Sequence, residues 1–198
     1  MTTPKAIAGR PRDAGIDDAV LDAARRHLAA HGYGAMSVVS IAEEAGTTRQ
    51  AVYRRWPTKA DLATAAIAGL SRVAQRPDTD DPYADLVEEL TAFHRGVTRL
   101  NGVSMVGSML QDATDADLRG LYRARVVAPR RARLRHILRR AADAGLVDSD
   151  ADIDYAVAAC TGTFYALRLA GAHVAKTWPE RTATLVWRAL GGEPPGRS

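Results

Sequence analysis

The segment Thr48-Arg49-Gln50-Ala51-Val52-Tyr53-Arg54-Arg55-Trp56 concentrates more chemistry than any other stretch of the chain. An arginine guanidinium can pair bidentately with guanine, and a glutamine amide with adenine. Arg49 and Gln50 therefore stand as candidate base readers. Hydroxyl and cationic side chains suit phosphate oxygens, which gives Thr48, Tyr53, Arg54 and Arg55 a backbone-contacting role. Val52 and Trp56 lie four residues apart on one helical face and are expected to pack inward. Charge alone would describe a solvated polar face equally well. The decision rests on how neighbouring elements hold this segment.

Lys59 falls in the first turn of the next expected helix, where its charge adds to exposed backbone N–H groups and can hold a phosphate. Upstream, Arg10 and Arg12 in Gly9-Arg10-Pro11-Arg12 either enter an A·T-rich minor groove or belong to a solvated tail. The remaining reactive residues point away from catalysis. His27 and His31 have the spacing of two metal ligands on a helix, but Leu28-Ala29-Ala30 between them lacks a zinc hydrolase's glutamate. His31 also ends its helix, where a histidine complements the dipole. Neither a metal nor another cofactor is expected. Cys160, the single cysteine, lies in an apolar stretch and is expected to be buried and unreactive. The sequence contains no nucleophile elbow, P-loop or dinucleotide fingerprint, so an enzyme is not expected.

Nearly the whole chain reads as helix, which makes the expected fold all-α, with about nine helices. The 198 residues are 46% hydrophobic and 25% charged, with a formal net charge of +4, enough apolar material for a core and a balance that favours polyanionic partners. Ile16, Val20, Ala24 and Leu28 repeat every four residues on a first helix, about 17–31, that Gly32 should stop. Ser37 can cap a short second helix ending at Gly46. Thr47, with Gln50 three residues on, or Thr48 should cap the third, which Pro57 ends. Thr58 with Asp61 opens a fourth, reaching about Ala74. A polar break at 75–81 separates head from body, and Asp81-Pro82 opens a helix running to about Leu100. Residues 101–111, with Gly102 and Gly107, are weakly helical. Thr114 with Asp117 caps a long segment that Pro129 should kink or break and Gly145 should end. Ser149 with Asp152, and Thr177 with Glu180, should cap the last two helices.

Two short helices joined at a glycine and preceded by a longer one form a helix-turn-helix layout. Residues 13–62 resemble the DNA-binding domain of the tetracycline-repressor (TetR) family of bacterial regulators. The resemblance rests on Gly32-Tyr33, Ser37-Val38, Ile41-Ala42, Ala45-Gly46, Tyr53-Arg54-Arg55-Trp56-Pro57-Thr58-Lys59 and Leu62. It implies operator-backbone contacts for Tyr53 and Lys59, and base contacts for Arg49, Gln50 and Ala51. Thr47 stands where the family usually has valine. Val38 and Val39 replace the polar base contacts of some members and can meet only thymine methyls, or nothing.

The organisation expected is a flexible basic arm over 1–12, the head over 13–62, a helical regulatory and dimerisation body over 63–190 and a disordered tail over 191–198. The resemblance implies a homodimer built on the last two long helices, a small-molecule pocket in each body and a double-stranded DNA operator as partner. The expected function is that of an effector-released repressor, with two alternatives: an activator or effector-independent regulator carrying the same head, or a helical protein with an enzymatic or purely structural role. Phe93, Met105, Met109, Tyr122, Phe164, Tyr165, His173 and Trp178 have the chemistry to line the pocket, or they form core. Arg119, Arg123, Arg125, Arg130, Arg131, Arg133, Arg135, Arg139 and Arg140 form a run without an acid, either a second polyanion surface or a face paired with acids of neighbouring helices. The apolar stretch Tyr155 to Leu167 is too short for a membrane span of about 20 residues, and no secretory signal is read, so a cytoplasmic protein is expected.

Overall fold

A computed structural model describes residues 14–70, 77–99 and 116–195, and every regular element among them is helical. In the head these are α1 (Ala14–Ala35), α2 (Val38–Glu44), α3 (Arg49–Arg55) and α4 (Lys59–Leu70). In the body they are α5 (Pro82–Arg99), α6 (Ala116–Tyr122), a π-helical turn (Arg123–Val127), α7 (Ala128–Asp143), α8 (Ile153–Leu169) and α9 (Trp178–Ala189). Arg10, Arg12, Met105, Met109, the weak helix at 101–111, the Thr114 cap and the end of the fourth helix at Ala74 lie outside the described residues.

Local sequence signals set most helix ends. Gly32 leaves the helical conformation at φ 73°, and one further turn follows it. Thr58 and Asp61 form a reciprocal capping box, with Asp61 N donating to Thr58 Oγ1 over 3.0 Å and Thr58 N donating to Asp61 Oδ2 over 3.2 Å. Asp81 Oδ1 accepts from the backbone N–H groups of Tyr83 and Ala84, so Pro82 starts α5 without an orphaned donor.

Three local expectations are decided by the structure. Of the two threonines offered, Thr48 caps α3, because its Oγ1 accepts from Ala51 N over 3.2 Å. Asp152, not Ser149, caps α8, accepting from Tyr155 N over 2.9 Å. At Pro129 the helical path continues but changes type, because the chain widens by one residue just before the proline. Ala128 N–H reaches back to Arg123 O, a π-type bond that absorbs the proline ring and its missing N–H. At the far end Gly192 N donates to Trp187 O over 3.0 Å, and a Cβ on Gly192 would lie 2.6 Å from Trp187 Nε1.

The apolar residues gather in two clusters. The head cluster joins Val20, Leu28, Ile41, Val52, Leu62 and Ile67, and it also takes in Leu118 of α6 and Val126 of the π turn. The body cluster is built by α5, α7, α8 and α9 around Leu90, Phe93, Ile137, Val157, Phe164 and Val186. Each fully buried leucine contributes roughly 2 kcal/mol. The head is therefore held to the body by apolar packing at α6 as well as by the chain.

Candidate nucleic-acid interface

The α2–turn–α3 unit is pinned from below and open above. Val38, Ile41 and Ala42 of α2 and Val52 of α3 are buried, while Trp56 packs half-buried at the C-cap of α3. The turn needs Gly46 in the left-handed region, at φ 66°, and closes as Thr47 N donates to Ala42 O over 2.9 Å. Ser37 caps α2 by accepting from Ser40 N over 3.3 Å. On the opposite side Arg26 and His27 of α1 reach Glu44 at the end of α2, over 2.7 and 3.2 Å. The hydrogen bond from Arg26 is the main reason the Glu44 carboxyl titrates below the usual range.

This anchoring leaves the first turn of α3 outward. Thr48, Arg49 and Gln50 are exposed and Ala51 is half-buried. The Arg49 guanidinium lies 5.2 Å from the centre of the Tyr53 ring, one turn on, so a candidate base reader and a candidate backbone contact sit together. Thr48 uses its oxygen as cap acceptor, which leaves the hydroxyl hydrogen to donate elsewhere. Arg54 is exposed. Of the valines opening α2, Val38 is buried and Val39 is exposed, so contact with a thymine methyl is open to Val39 alone.

Two of the assigned cations are engaged within the head. Lys59 Nζ donates to Gly34 O over 2.8 Å and stands 4.7 Å from the centre of the Tyr33 ring, at the outer junction of α1 and α4. Arg55 is turned inward, with Nε on Asp17 of α1 and Nη1 donating to Ala51 O over 3.3 Å. That pairing removes Arg55 from the set available to phosphates. No local signal in the sequence links Arg55 with Asp17, which lies 38 residues upstream. His27 and His31 stack edge to face at 5.8 Å, and His27 is directed to Glu44. Among the described residues no three metal-ligating side chains converge.

The arginine run is largely consumed by acids of neighbouring elements. Arg125 on the π turn donates to Asp61 Oδ1 over 2.8 Å and to Thr64 Oγ1 over 3.1 Å, bridging body and head. Its hydrogen bond adds to that of Thr58 in holding the Asp61 carboxyl low. Arg133, His136 and Arg140 all meet Asp78 in the connection between α4 and α5, and hydrogen bonds from His136 and Arg133 bring its pKa to about 2. Arg140 also reaches Asp85 over 2.7 Å, and Arg135 reaches Asp154 over 2.7 Å. The run is thus a paired face at these positions, not a second polyanion surface.

In the body, Phe93, Phe164, Tyr165 and Trp178 meet in one aromatic cluster, with ring centres 5.4–5.9 Å apart. Tyr122 joins through Tyr165, and burial raises the pKa of both phenols. His173 is exposed, and it is His94 that stacks on Trp178 at 5.9 Å. Burial holds the His94 imidazole below its ordinary pKa. Burial likewise pushes the Cys160 thiol up to about 12. The outer face of α8 exposes Tyr155 (77%) and Leu169 (83%), with Ala158, Gly162 and Ala166 between them, and Leu185 of α9 is 59% exposed.

Two family models match the chain. That of bacterial regulatory proteins of the tetR family covers residues 20–66, and that of the tetracyclin repressor-like C-terminal domain covers residues 76–186. An HTH-type transcriptional regulator of Bacillus subtilis, YdeS, is 31% identical over 170 residues, spanning 84% of this chain and 85% of its own. Among solved structures, the TetR family transcription regulator SCO0332 aligns with a TM-score of 0.69 at 28% identity, over 88% of this chain and 98% of its own. The regulator FadR of Bacillus subtilis, in complex with stearoyl-CoA, shares the fold with a TM-score of 0.68 at 14% identity, over 87% of this chain and 98% of its own.

Proposed function

Because the chain belongs to the TetR family of DNA-binding transcriptional regulators, we propose that it acts as a homodimeric repressor released from its operator by a small molecule. The observation that carries the reading is the presentation of α3. Val52 fixes the helix from within, while Arg49 and Gln50 stand exposed on its first turn. Arg49 and Gln50, with Ala51 beside them, read base edges in the major groove, and Thr48, Tyr53, Arg54 and Lys59 hold phosphates. Lys59 reaches a phosphate by exchanging its bond to Gly34 O, a neutral acceptor, for a charged one.

A single α3 reads too few base pairs for a specific site. Two must be presented about one helical turn, roughly 34–36 Å, apart. The exposed apolar strip of α8, with Leu185 of α9, supports a two-fold interface there, since an apolar face of this kind is otherwise left to water. The aromatic cluster of the body supports an effector site, and the stearoyl-CoA complex of FadR is an instance of a body of this fold holding a small molecule. An effector releases the operator only if it binds the DNA-incompetent arrangement more tightly. The head–body junction at α4 is where that preference is felt. A place beside the chromosome, in the cytoplasm, goes with this role, and no described helix is long and apolar enough to cross a membrane.

Selection from a random pool of duplex DNA tests the reading. The expected product is an inverted repeat with half-sites one helical turn apart. Gln50→Ala should relax one base position in each half-site and leave the spacing intact. A pool without any enriched sequence would sink the reading, and an unchanged consensus for Gln50→Ala would remove its base contact.

A further inference from the structure

The outer face of α8 carries an exposed pattern that reads the same from either end. Tyr155 and Leu169, the most exposed large apolar side chains among the described residues, each lie seven residues from Gly162. Ala158 and Ala166, exposed as well, each lie four residues from it. Positions spaced by four and seven fall on one side of a helix, so these residues form a strip about 21 Å long. Gly162 is at its centre. Glycine inside a helix is destabilising relative to alanine, yet a Cβ at this position would meet nothing within 4 Å in the protomer. The room left by its missing side chain is open only to a second molecule.

The two ends of the strip differ in charge. At the start of α8 a groove of about 590 Å³ opens between Tyr155 and Leu185, with Ala159 and Val186 along its floor and Asp148, Asp150 and Asp152 on its rim. At the other end stand Arg168 and Lys176, both exposed. Asp154 is taken by Arg135, but none of these three acids and two cations enters an ion pair among the described residues. We propose that a second copy of this chain packs its α8 antiparallel to this one, with the two-fold axis passing at Gly162. This rests on the homodimer reading and adds to it an orientation and a register.

In an antiparallel pair related by a two-fold axis, residues equally far from the axis on either side meet. With the axis at Gly162, Tyr155 meets the partner's Leu169, Ala158 meets the partner's Ala166, and the two glycines face each other. Each large apolar side chain then covers the other. Moving the axis one turn either way would carry Leu169 or Tyr155 past the end of the partner's α8 and leave it in water. Small residues at the crossing let the helix axes approach to about 8 Å. A parallel pair would set the three carboxylates against their own copies, whereas the antiparallel pair sets them against the partner's Arg168 and Lys176. The aliphatic stems of these cations lie on the floor of the groove while their charges reach its rim.

Sedimentation equilibrium compares the full chain with Gly162→Leu. The leucine has open space in the protomer and favours helix, so its far-ultraviolet circular dichroism should match that of the wild type. Two leucines would meet at the axis where two bare backbones had been, and the dimer dissociation constant should rise about a hundredfold. Disulfide trapping reads the register directly. Gly162→Cys should link two chains under mild oxidation, since the paired Cα atoms would lie within the roughly 4.4–6.8 Å that a disulfide spans. Tyr155→Cys combined with Leu169→Cys should also link, and either alone should not, because its own copy lies about 21 Å away along the pair. The native Cys160 is buried, and the wild type serves as the control. Should Gly162→Leu lose its helical signal, the trapping decides alone. With a dimeric wild type, survival of the dimer in Gly162→Leu, failure of Gly162→Cys to link, or linking of Tyr155→Cys by itself overturns the register and leaves the homodimer reading in place. A monomeric wild type overturns both.

Discussion

Replacing Arg125 by alanine should loosen the head from the body without unfolding either. Arg125 makes two bonds across the junction, to Asp61 at 2.8 Å and to Thr64 at 3.1 Å, and both partners belong to α4. A charged hydrogen bond in a dry site is worth about 1.5–3 kcal/mol. Arg125 is 40% exposed and Asp61 16%, so water and salt screen the pair. A value of about 1 kcal/mol per protomer, the upper end for exposed pairs, is the appropriate discount. Leu118 and Val126 still pack into the head cluster, so the junction should open more often rather than come apart. An opening free energy lowered by about 1 kcal/mol raises the open population about fivefold. Hydrogen exchange read by peptide reports this without DNA or ligand. Amides of α1 and α4 should exchange about fivefold faster in Arg125→Ala, and those of α8 and α9 at the wild-type rate. Equal acceleration in both regions would mean global destabilisation. No acceleration in the head would mean that Arg125 and Asp61 do not hold the junction, and the reasoning would fail.

Two further outcomes are expected. Lys59→Ala should weaken binding to all DNA sequences alike and reduce the salt dependence by about one unit of slope, because one phosphate contact is lost; a salt titration with an unchanged slope refutes that role. The Asp78 carboxyl, brought to about 2 by His136 and Arg133, has a folded pKa below its unfolded value. Its contribution to stability is therefore present above about pH 4 and lost as the pH falls towards 2. Carboxyl NMR of the native protein should show Asp78 titrating near that value and returning towards 3.8 in Arg133→Ala.

The sequence disclosed the head so readily because its signals are local. Gly32, Ser37, Gly46, Pro57 and the Thr58–Asp61 box each act within four residues; Gly32 interrupts α1 near its end, and the others sit at helix ends in the structure. Even there, two adjacent threonines offered two caps, and only three-dimensional packing chose Thr48. The body is specified by partners far apart in sequence. Arg125 meets Asp61 across 64 residues, and Arg140 meets Asp85 across 55. An arginine run without neighbouring acids gave no indication of which acids would fold against it. Naming His173 and passing over His94 fails for the same reason, since both lie near aromatic residues in sequence and only the crossing of α5 over α9 brings His94 to Trp178. Arg55 was the costliest case, because its composition matched a phosphate contact while its geometry belongs to Asp17.

Pro129 shows how a residue legible in sequence can act at a place that is not. A proline in a helix removes one backbone donor and crowds the carbonyl four residues before it, here that of Arg125. The chain answers with the π turn at Arg123–Val127. One residue accommodated in this way turns the preceding helix by about 100° relative to α7. That rotation is what allows α6 and Arg125 to face α4 while α7 keeps Ile137 and Leu138 in the body core. Pro129→Ala restores the missing donor and favours an ordinary α-turn, so helix propensity rises. The junction should weaken nonetheless. Exchange in α1 and α4 should accelerate, as in Arg125→Ala, and combining the two substitutions should add little, because both remove the same contact. Slower exchange in the head of Pro129→Ala would show that the π turn is a strain borne by the fold and not the device that aims Arg125.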